Sequence, residues 1–368
     1  MAAHVPPSRI FALATKLGAG EAAAEAERLV EAWVNAATGR EILAFADAAR
    51  SSFTQSVWPW AARVALDEHI EDDKLDLVAP RAKAAVAAVL STHRSGYVRE
   101  LGTTYLALSS NPLVIPFLVL RLDDIVPSLR RVAEDAVLRR SNAEYAPFFA
   151  NALAIISALV ERERSKQRAA GVLEFLARPE CRTALVEAST NDDAIVRRHA
   201  IELLSKHDDE VTALTLGLCD RDTRVRLWAA RTATSQKTAE PARRALLPAL
   251  LGSRSPSVRT LALRAAKALG ERDEAFEQAL LDHHSSVRHL ARAILRARHP
   301  DRAFGATRTN ALRVLADANA TSGAIIGALG ALADVGLASD VDRVSSFASD
   351  PRSRVRSEAR RTVSLLSL

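Results

Sequence analysis

One motif returns through most of this sequence at intervals near 30 residues, and it restricts the fold more than composition could. Its clearest copies read DDAIVRRHAIELL, DTRVRLWAARTA, SPSVRTLALRAAKALG, HSSVRHLARAIL and RSRVRSEARRTV. SGYVRELGTTYLAL and IVPSLRRVAEDAVL are looser versions. With the arginine as anchor, the copies fall at Arg99, Arg130, Arg197, Arg226, Arg259, Arg288 and Arg356, separated by 31, 67, 29, 33, 29 and 68 residues. Each long gap is close to twice a short one, so each predicts a degenerate copy. One is SGAIIGALGALADVG, with Ile325 in the arginine's place; the other is expected over residues 162–177. A period of this size belongs to an array of one repeated supersecondary unit.

Three positions after the anchor every copy has a small residue: Gly102, Ala133, Ala200, Ala229, Ala262, Ala291, Ala328 and Ala359. A small side chain one turn along a helix lets another helix approach closely. Apolar residues six to seven positions after the anchor, such as Leu203 and Leu204 or Ile294 and Leu295, complete one helical face. Upstream lie a short polar turn and another apolar segment, as in DEVTALTLGLCD, AEPARRALLPALLG and SDVDRVSSFASD. Each unit therefore reads helix A, turn, helix B. Asp192, Asp222, Ser255 and Ser285 stand where helix B needs an N-cap, and Pro256 and Pro351 suit its first turn. Gly270 and Gly336 follow two B helices as stops.

The turn with its Asp or Ser-Pro, the Val-Arg pair (Val196–Arg197, Val225–Arg226, Val258–Arg259, Val287–Arg288, Val355–Arg356) and the following alanine resemble the HEAT-repeat family. They resemble more closely the short bacterial HEAT-like repeats first described in phycobilisome lyases. The resemblance covers residues 77–368 and implies an all-α, right-handed solenoid of about nine stacked antiparallel helix pairs. It also implies that the helix-B arginine pairs with the turn aspartate of an adjacent repeat, so that Arg99, Arg130, Arg197, Arg226, Arg259, Arg288 and Arg356 form a structural ladder. The physical chemistry agrees, because inter-helix turns leave backbone groups without partners and a planar guanidinium can bridge two turns. Arg226 is expected to meet a carboxylate such as Asp192 or Asp222.

Residues 1–76 lack the Val-Arg signature, although PSRIFALATKLG, EAAAEAERLVEAWVNAA and GREILAFADAARSSF read as helices. They are expected to form an atypical N-terminal cap, which a stacked array needs at its end, or a separate specificity element.

The 368 residues are 48% hydrophobic and 26% charged, a globular balance, and the 5% aromatic content favours thin, closely packed helices. Cys181 and Cys219 form no CxxC, so neither a disulfide framework nor a zinc site is expected and a reducing compartment is. The start, MAAHVPPSRIFALATKLGAG, lacks the uninterrupted apolar region of a signal peptide. The uncharged runs at 145–160 and 318–333 fall short of the roughly 20 residues of a membrane span. A soluble, cytoplasmic protein without membrane partners is expected. The net charge is +6, concentrated in residues 191–300, which hold 19 basic and 14 acidic residues. A polyphosphate-binding face usually shows a steeper imbalance.

GxSxG, Walker, Rossmann and HExxH motifs do not occur. The histidines of DHHSSVRH (His283, His284, His289) form no i,i+4 pair, so no metal is expected, and no catalytic residue or cofactor either. Gly323 and Gly327, at GxxxG spacing, suit tight helix packing. Trp228 reads as core packing between helices, with base stacking as the alternative. Trp58 and Trp60, in SVWPWAARV, read as a helix-start staple or as an aromatic anchor for a partner. All three tryptophans are candidate interface residues. The leading expectation is a non-enzymatic scaffold that binds a protein or peptide on its concave, B-helix-lined surface. The alternative is a nucleic-acid-binding or DNA-repair protein related to the HEAT-like alkylpurine glycosylases. Residues 191–300 and Trp228 fit that loosely, but no catalytic aspartate aligns beside a tryptophan pair. A chromophore lyase or related modification factor is a third class.

Overall fold

Apolar positions at helical spacing need a partner surface, and every secondary-structure element among the described residues is a helix packed on its neighbours. The structure, a computed structural model, describes residues 21–51, 78, 80–93, 95–206, 210–299 and 303–368. Trp58 and Trp60 lie outside these. The chain divides into two compact units, Met1–Glu210 and Val211–Leu368. The boundary read between residues 76 and 77 falls within the stretch 52–77, outside the described residues.

In the first unit, α1 (Glu21–Ala36) and α2 (Gly39–Ser51) precede four A/B pairs. These are α3 (Pro80–Leu90) with α4 (Gly96–Leu108), and α5 (Ile115–Arg121) with α6 (Pro127–Arg139). A split A helix, α7 (Ala146–Asn151) and α8 (Leu153–Val160), pairs with α9 (Lys166–Leu176), and α10 (Arg182–Ala188) pairs with α11 (Ala194–Leu204). Helix α9 occupies the stretch where the first long gap predicts a degenerate copy. Helix α1 packs on α3, and α2 continues along α5 and α8. Residues 21–51, the described part of the segment read as a cap, therefore pack on the A helices of the first three pairs. Trp33 joins these layers, its ring centroid 4.7 Å from Phe45 and 6.4 Å from Phe117. Arg40 Nε donates to Asp193 at 2.8 Å.

The second unit holds five pairs: α12 (Glu210–Leu218) with α13 (Thr223–Ala233), α14 (Glu240–Leu251) with α15 (Pro256–Ala268), and α16 (Asp273–Ala279) with α17 (Ser285–Arg298). Then come α18 (Ala303–Ala316) with α19 (Ser322–Val335), and α20 (Val341–Ser345) with α21 (Ser353–Leu366). Helix α19 is the copy carrying Ile325. B helices stack side by side, α4 on α6 in the first unit, and α13 on α15 on α17 in the second.

The motif explains this stacking. The residue before each anchor (Val98, Leu129, Val196, Val225, Val258, Val287, Val355) is buried, and the alanine three after it has no exposed surface in any copy. A Cβ at Gly102 would lie 2.6 Å from Ser91 N and 2.7 Å from Ala87 O, so only glycine lets α4 sit on the end of α3. The caps fall four residues before the anchor. Asp222 accepts from Arg224 N at 2.7 Å, as expected, but Asp193 rather than Asp192 caps α11, accepting from Ile195 N at 2.9 Å. Ser255 occupies the cap of α15 without a side-chain bond, and His284, not Ser285, precedes α17. Gly270 ends α15 at φ +70, with Glu271 N donating to Ala266 O at 2.9 Å, the left-handed stop that glycine favours. Gly336, at φ −71, ends α19 without one.

Candidate functional site

Each anchor arginine is the fourth residue of its B helix, which aims its guanidinium back at the turn it has just left. In all seven, Nη1 donates to the carbonyl six residues earlier. The acceptors are His93 (3.0 Å), Asp124 (2.6 Å), Asn191 (2.8 Å), Asp220 (2.6 Å), Ser253 (2.7 Å), Asp282 (2.9 Å) and Asp350 (2.7 Å). The side chain of that same residue accepts the backbone N–H two residues on, at 2.6–3.3 Å, closing the turn. One position, held by Asp, Asn, Ser or His, thus serves both the turn and the arginine.

The rest of the guanidinium separates the copies. Arg99 donates Nε and Nη2 to Asp124 at 2.8 and 3.0 Å, and Arg259 does the same to Asp282 at 2.6 and 2.7 Å. Both carboxylates belong to the turn of the following pair. Arg288, 1% exposed, instead reaches Asp334 in the last turn of α19, with Nε at 3.0 Å. Arg226 bonds neither the Asp192 nor the Asp222 carboxylate: it donates to the Arg221 carbonyl at 2.9 Å and Thr223 Oγ1 at 2.8 Å. Asp222 is engaged as a cap, and Ser253 stands where Asp124 and Asp282 stand in other turns. The Nε atoms of Arg226 and Arg130 are buried with no hydrogen-bond partner among the described residues. Arg197 donates to the Asn191 and Asp192 carbonyls, and Arg356 to those of Asp350 and Pro351.

These pairs set the carboxyl electrostatics. Burial pushes the Asp124 carboxyl up, but the Arg99 bonds, the Val126 amide and the Arg121 charge outweigh it and hold the group below the usual range. At Asp334 burial is likewise outweighed, by Arg288 and Arg292. Arg352, through its side chain and its amide, holds Asp350 at about 2.

Trp228 is half-buried against a core that includes Leu214, Leu246 and Leu250. The three histidines are separate: His283 lies 3.4 Å from Arg259 Nη2, His284 Nδ1 2.9 Å from Ser286 Oγ, and His289 3.4 Å from Asp334. Among the described residues no three metal-ligating side chains converge, and no helix is long and apolar enough to cross a membrane.

With the anchor and the positions one before, three after and seven after it turned inward, helical geometry of about 100° per residue points the fifth position after it straight outward. In the second unit that position holds Arg231 on α13, Arg264 on α15 and Ala293 on α17, all exposed. Lys267 and Arg296, eight after their anchors, are exposed beside it. Helices α13, α15 and α17 together contain ten Arg or Lys and no Asp or Glu. Trp228, Leu261 and Leu290, two after the anchors, are partly buried along the edge of the same face. An open depression of about 490 Å³ borders His289, Arg292, Ala293, Arg296 and Ala297 on α17. In the first unit the fifth positions are Thr104, Asp135 and Glu202, which carry no cation.

No family model matches the chain, and no curated protein does. Several solved structures do. Kap121p matches 99% of this chain at 14% identity, over 46% of its own length, with a TM-score of 0.27. Importin beta matches 96% at 11% identity, over 62% of its length, with a TM-score of 0.29. Human deoxyhypusine hydroxylase in complex with glycerol matches 84% at 13% identity, over 99% of its length, with a TM-score of 0.21. The chain spans about half the length of Kap121p. Likenesses this distant say nothing of activity or partner, and the all-α fold stands on the helix pairs themselves.

The basic outward face escapes a count over residues 191–300 because none of the acids of that stretch lies on α13, α15 or α17, while Glu202 on α11 and the acids of the turns and A helices offset their cations. Counting each B helix alone is the signal that finds it.

Proposed function

We propose that the chain is a non-enzymatic scaffold that binds a protein partner on the outward face of its B helices. Solenoids of helix pairs turn such a face to their concave side and use it for extended partners. The observation that carries the reading is the composition of α13, α15 and α17: exposed cations five or eight positions after the anchor, partly buried apolar side chains beside them, and no acid. The anchor arginines, by contrast, end in turns. We take the repeats to be of the short bacterial HEAT-like kind. The unpaired thiols of Cys181, buried, and Cys219, exposed, suit a reducing cytoplasm.

Site-specific photo-crosslinking in the cells that make the protein tests this reading. A photoreactive residue at Thr260, on the B face of α15, is expected to yield a discrete protein adduct, and one at the exposed Glu274 of α16 is expected to yield none. Nuclease-sensitive adducts alone at Thr260, or equal adducts at both positions, would overturn it.

A further inference from the structure

Resting on that scaffold reading, we propose that the outward face of α13, α15 and α17 binds an extended acidic peptide segment with a carboxylate at about every third residue. The three helices share one rotation, because each anchor arginine bonds the carbonyl six residues back and each following alanine is fully buried. Their outward positions therefore align across the stack. Arg231 marks the first helix, Arg264 with Lys267 the second, and Arg296 the third. Arg231, Arg264 and Lys267 have no carboxylate within ion-pair distance among the described residues.

The spacing selects the partner. Packed helices lie about 8–10 Å apart, and an extended chain advances about 3.3 Å per residue, so carboxylates three residues apart meet successive helices. The residues between them meet Trp228, Leu261 and Leu290. The depression on α17 receives the end of the segment beside the exposed Arg296. Duplex DNA fits less well. It carries one charge per about 1.7 Å of axis, far denser than the one or two outward cations of each helix. A single-stranded nucleic acid needs stacking platforms, and these helices hold one aromatic side chain, Trp228.

Fluorescence anisotropy with the full chain decides. The probe is a labelled nonapeptide of three Glu-Thr-Val repeats; the comparisons are its Gln-for-Glu counterpart and a 20-base-pair DNA duplex. The Glu peptide is expected to bind at least about tenfold tighter than the Gln peptide. The double variant Arg264→Glu/Lys267→Glu, and separately Arg231→Glu, are expected to weaken it about tenfold or more with unchanged circular dichroism. Arg272→Glu, exposed at the start of α16, should leave it unchanged. Equal affinity for both peptides, no effect of reversing these charges, or tighter binding of the duplex would overturn the proposal. If Thr260 crosslinks a protein while the Glu peptide does not bind, the scaffold stands and the acidic segment falls; if Thr260 yields no protein adduct, the scaffold itself falls.

Discussion

The anchor arginine is one side chain with two tasks: Nη1 closes its own turn, and Nε with Nη2 reaches toward a carboxylate of a later pair. Where that carboxylate exists, removing the arginine strands a poorly solvated charge. Arg259→Met should therefore lower unfolding free energy by about 3 kcal/mol or more, because breaking a buried pair costs about 3–5 kcal/mol. Arg226→Met deletes only neutral acceptors' partner and should cost about 1–2 kcal/mol. Urea denaturation giving the reverse order would contradict the geometry. The unbonded Nε of Arg226 also predicts a gain: Ser253→Asp places a carboxylate where Asp282 serves Arg259. It should stabilise by up to about 1 kcal/mol, the worth of a partly exposed pair, and the gain should vanish in an Arg226→Met background.

Acid tests the same carboxylates. A carboxyl whose folded pKa lies below its unfolded value near 3.9 contributes stability that is complete above that value and is lost as pH falls through the folded pKa. Asp124 and Asp334 are both lowered. The melting temperature should drop below about pH 4. Asp334→Asn, less stable at pH 7, should lose less than the parent between pH 5 and pH 3; parallel curves would show that Asp334 carries no such linkage.

At the scale of the element, α19 departs most from the repeat. It has Ile325 in place of the arginine and supplies Asp334 from its last turn, where the helix dipole disfavours an acid but Arg288 and Arg292 both bind it. The glycines make this approach possible. A Cβ on Gly327 would lie 1.8 Å from the Leu281 carbonyl oxygen, and one on Gly330 would lie 2.7 Å from Arg288 Nη1. Gly323 has open space around its Cβ position, so the contact pair is Gly327 with Gly330 rather than the GxxxG pair. Gly327→Ala should cost at least the roughly 1–3 kcal/mol of an overpacked core. Gly323→Ala should be neutral or stabilise by up to about 1 kcal/mol through the unfolded chain. Thermal melts of the two variants separate these outcomes.

At the scale of the whole molecule, each pair contacts mainly its neighbours, so stability should be close to a sum of local terms. The chain also divides at residue 210. Arg259→Met should therefore raise amide exchange in α15 and α17 while leaving α5 and α8 at parent levels. A uniform loss of protection would mean that the array unfolds as one block. Charge follows the division too: the outward B-helix face holds Arg231, Arg264, Lys267 and Arg296 in the second unit, against Thr104, Asp135 and Glu202 in the first.

The period, the helix pairs and the inward face were legible in the sequence alone, because Val, Arg and the following Ala recur at spacings that a helix turns to one side. The degenerate copies at α9 and α19 were legible for the same reason, through gap length. Which carboxylate meets which arginine was not. Asp282 lies 23 residues beyond Arg259 and Asp334 46 beyond Arg288, and only the approach of separate helices decides whether an acid at either distance arrives. Arg226 shows the limit: of the two aspartates expected to meet it, Asp222 caps its own helix and Asp192, in the preceding turn, does not bond it, while Ser253 stands where Asp124 and Asp282 serve other anchors. The run of α2 across α5 and α8 is likewise tertiary, since an amphipathic helix declares that it needs a partner surface without saying which one.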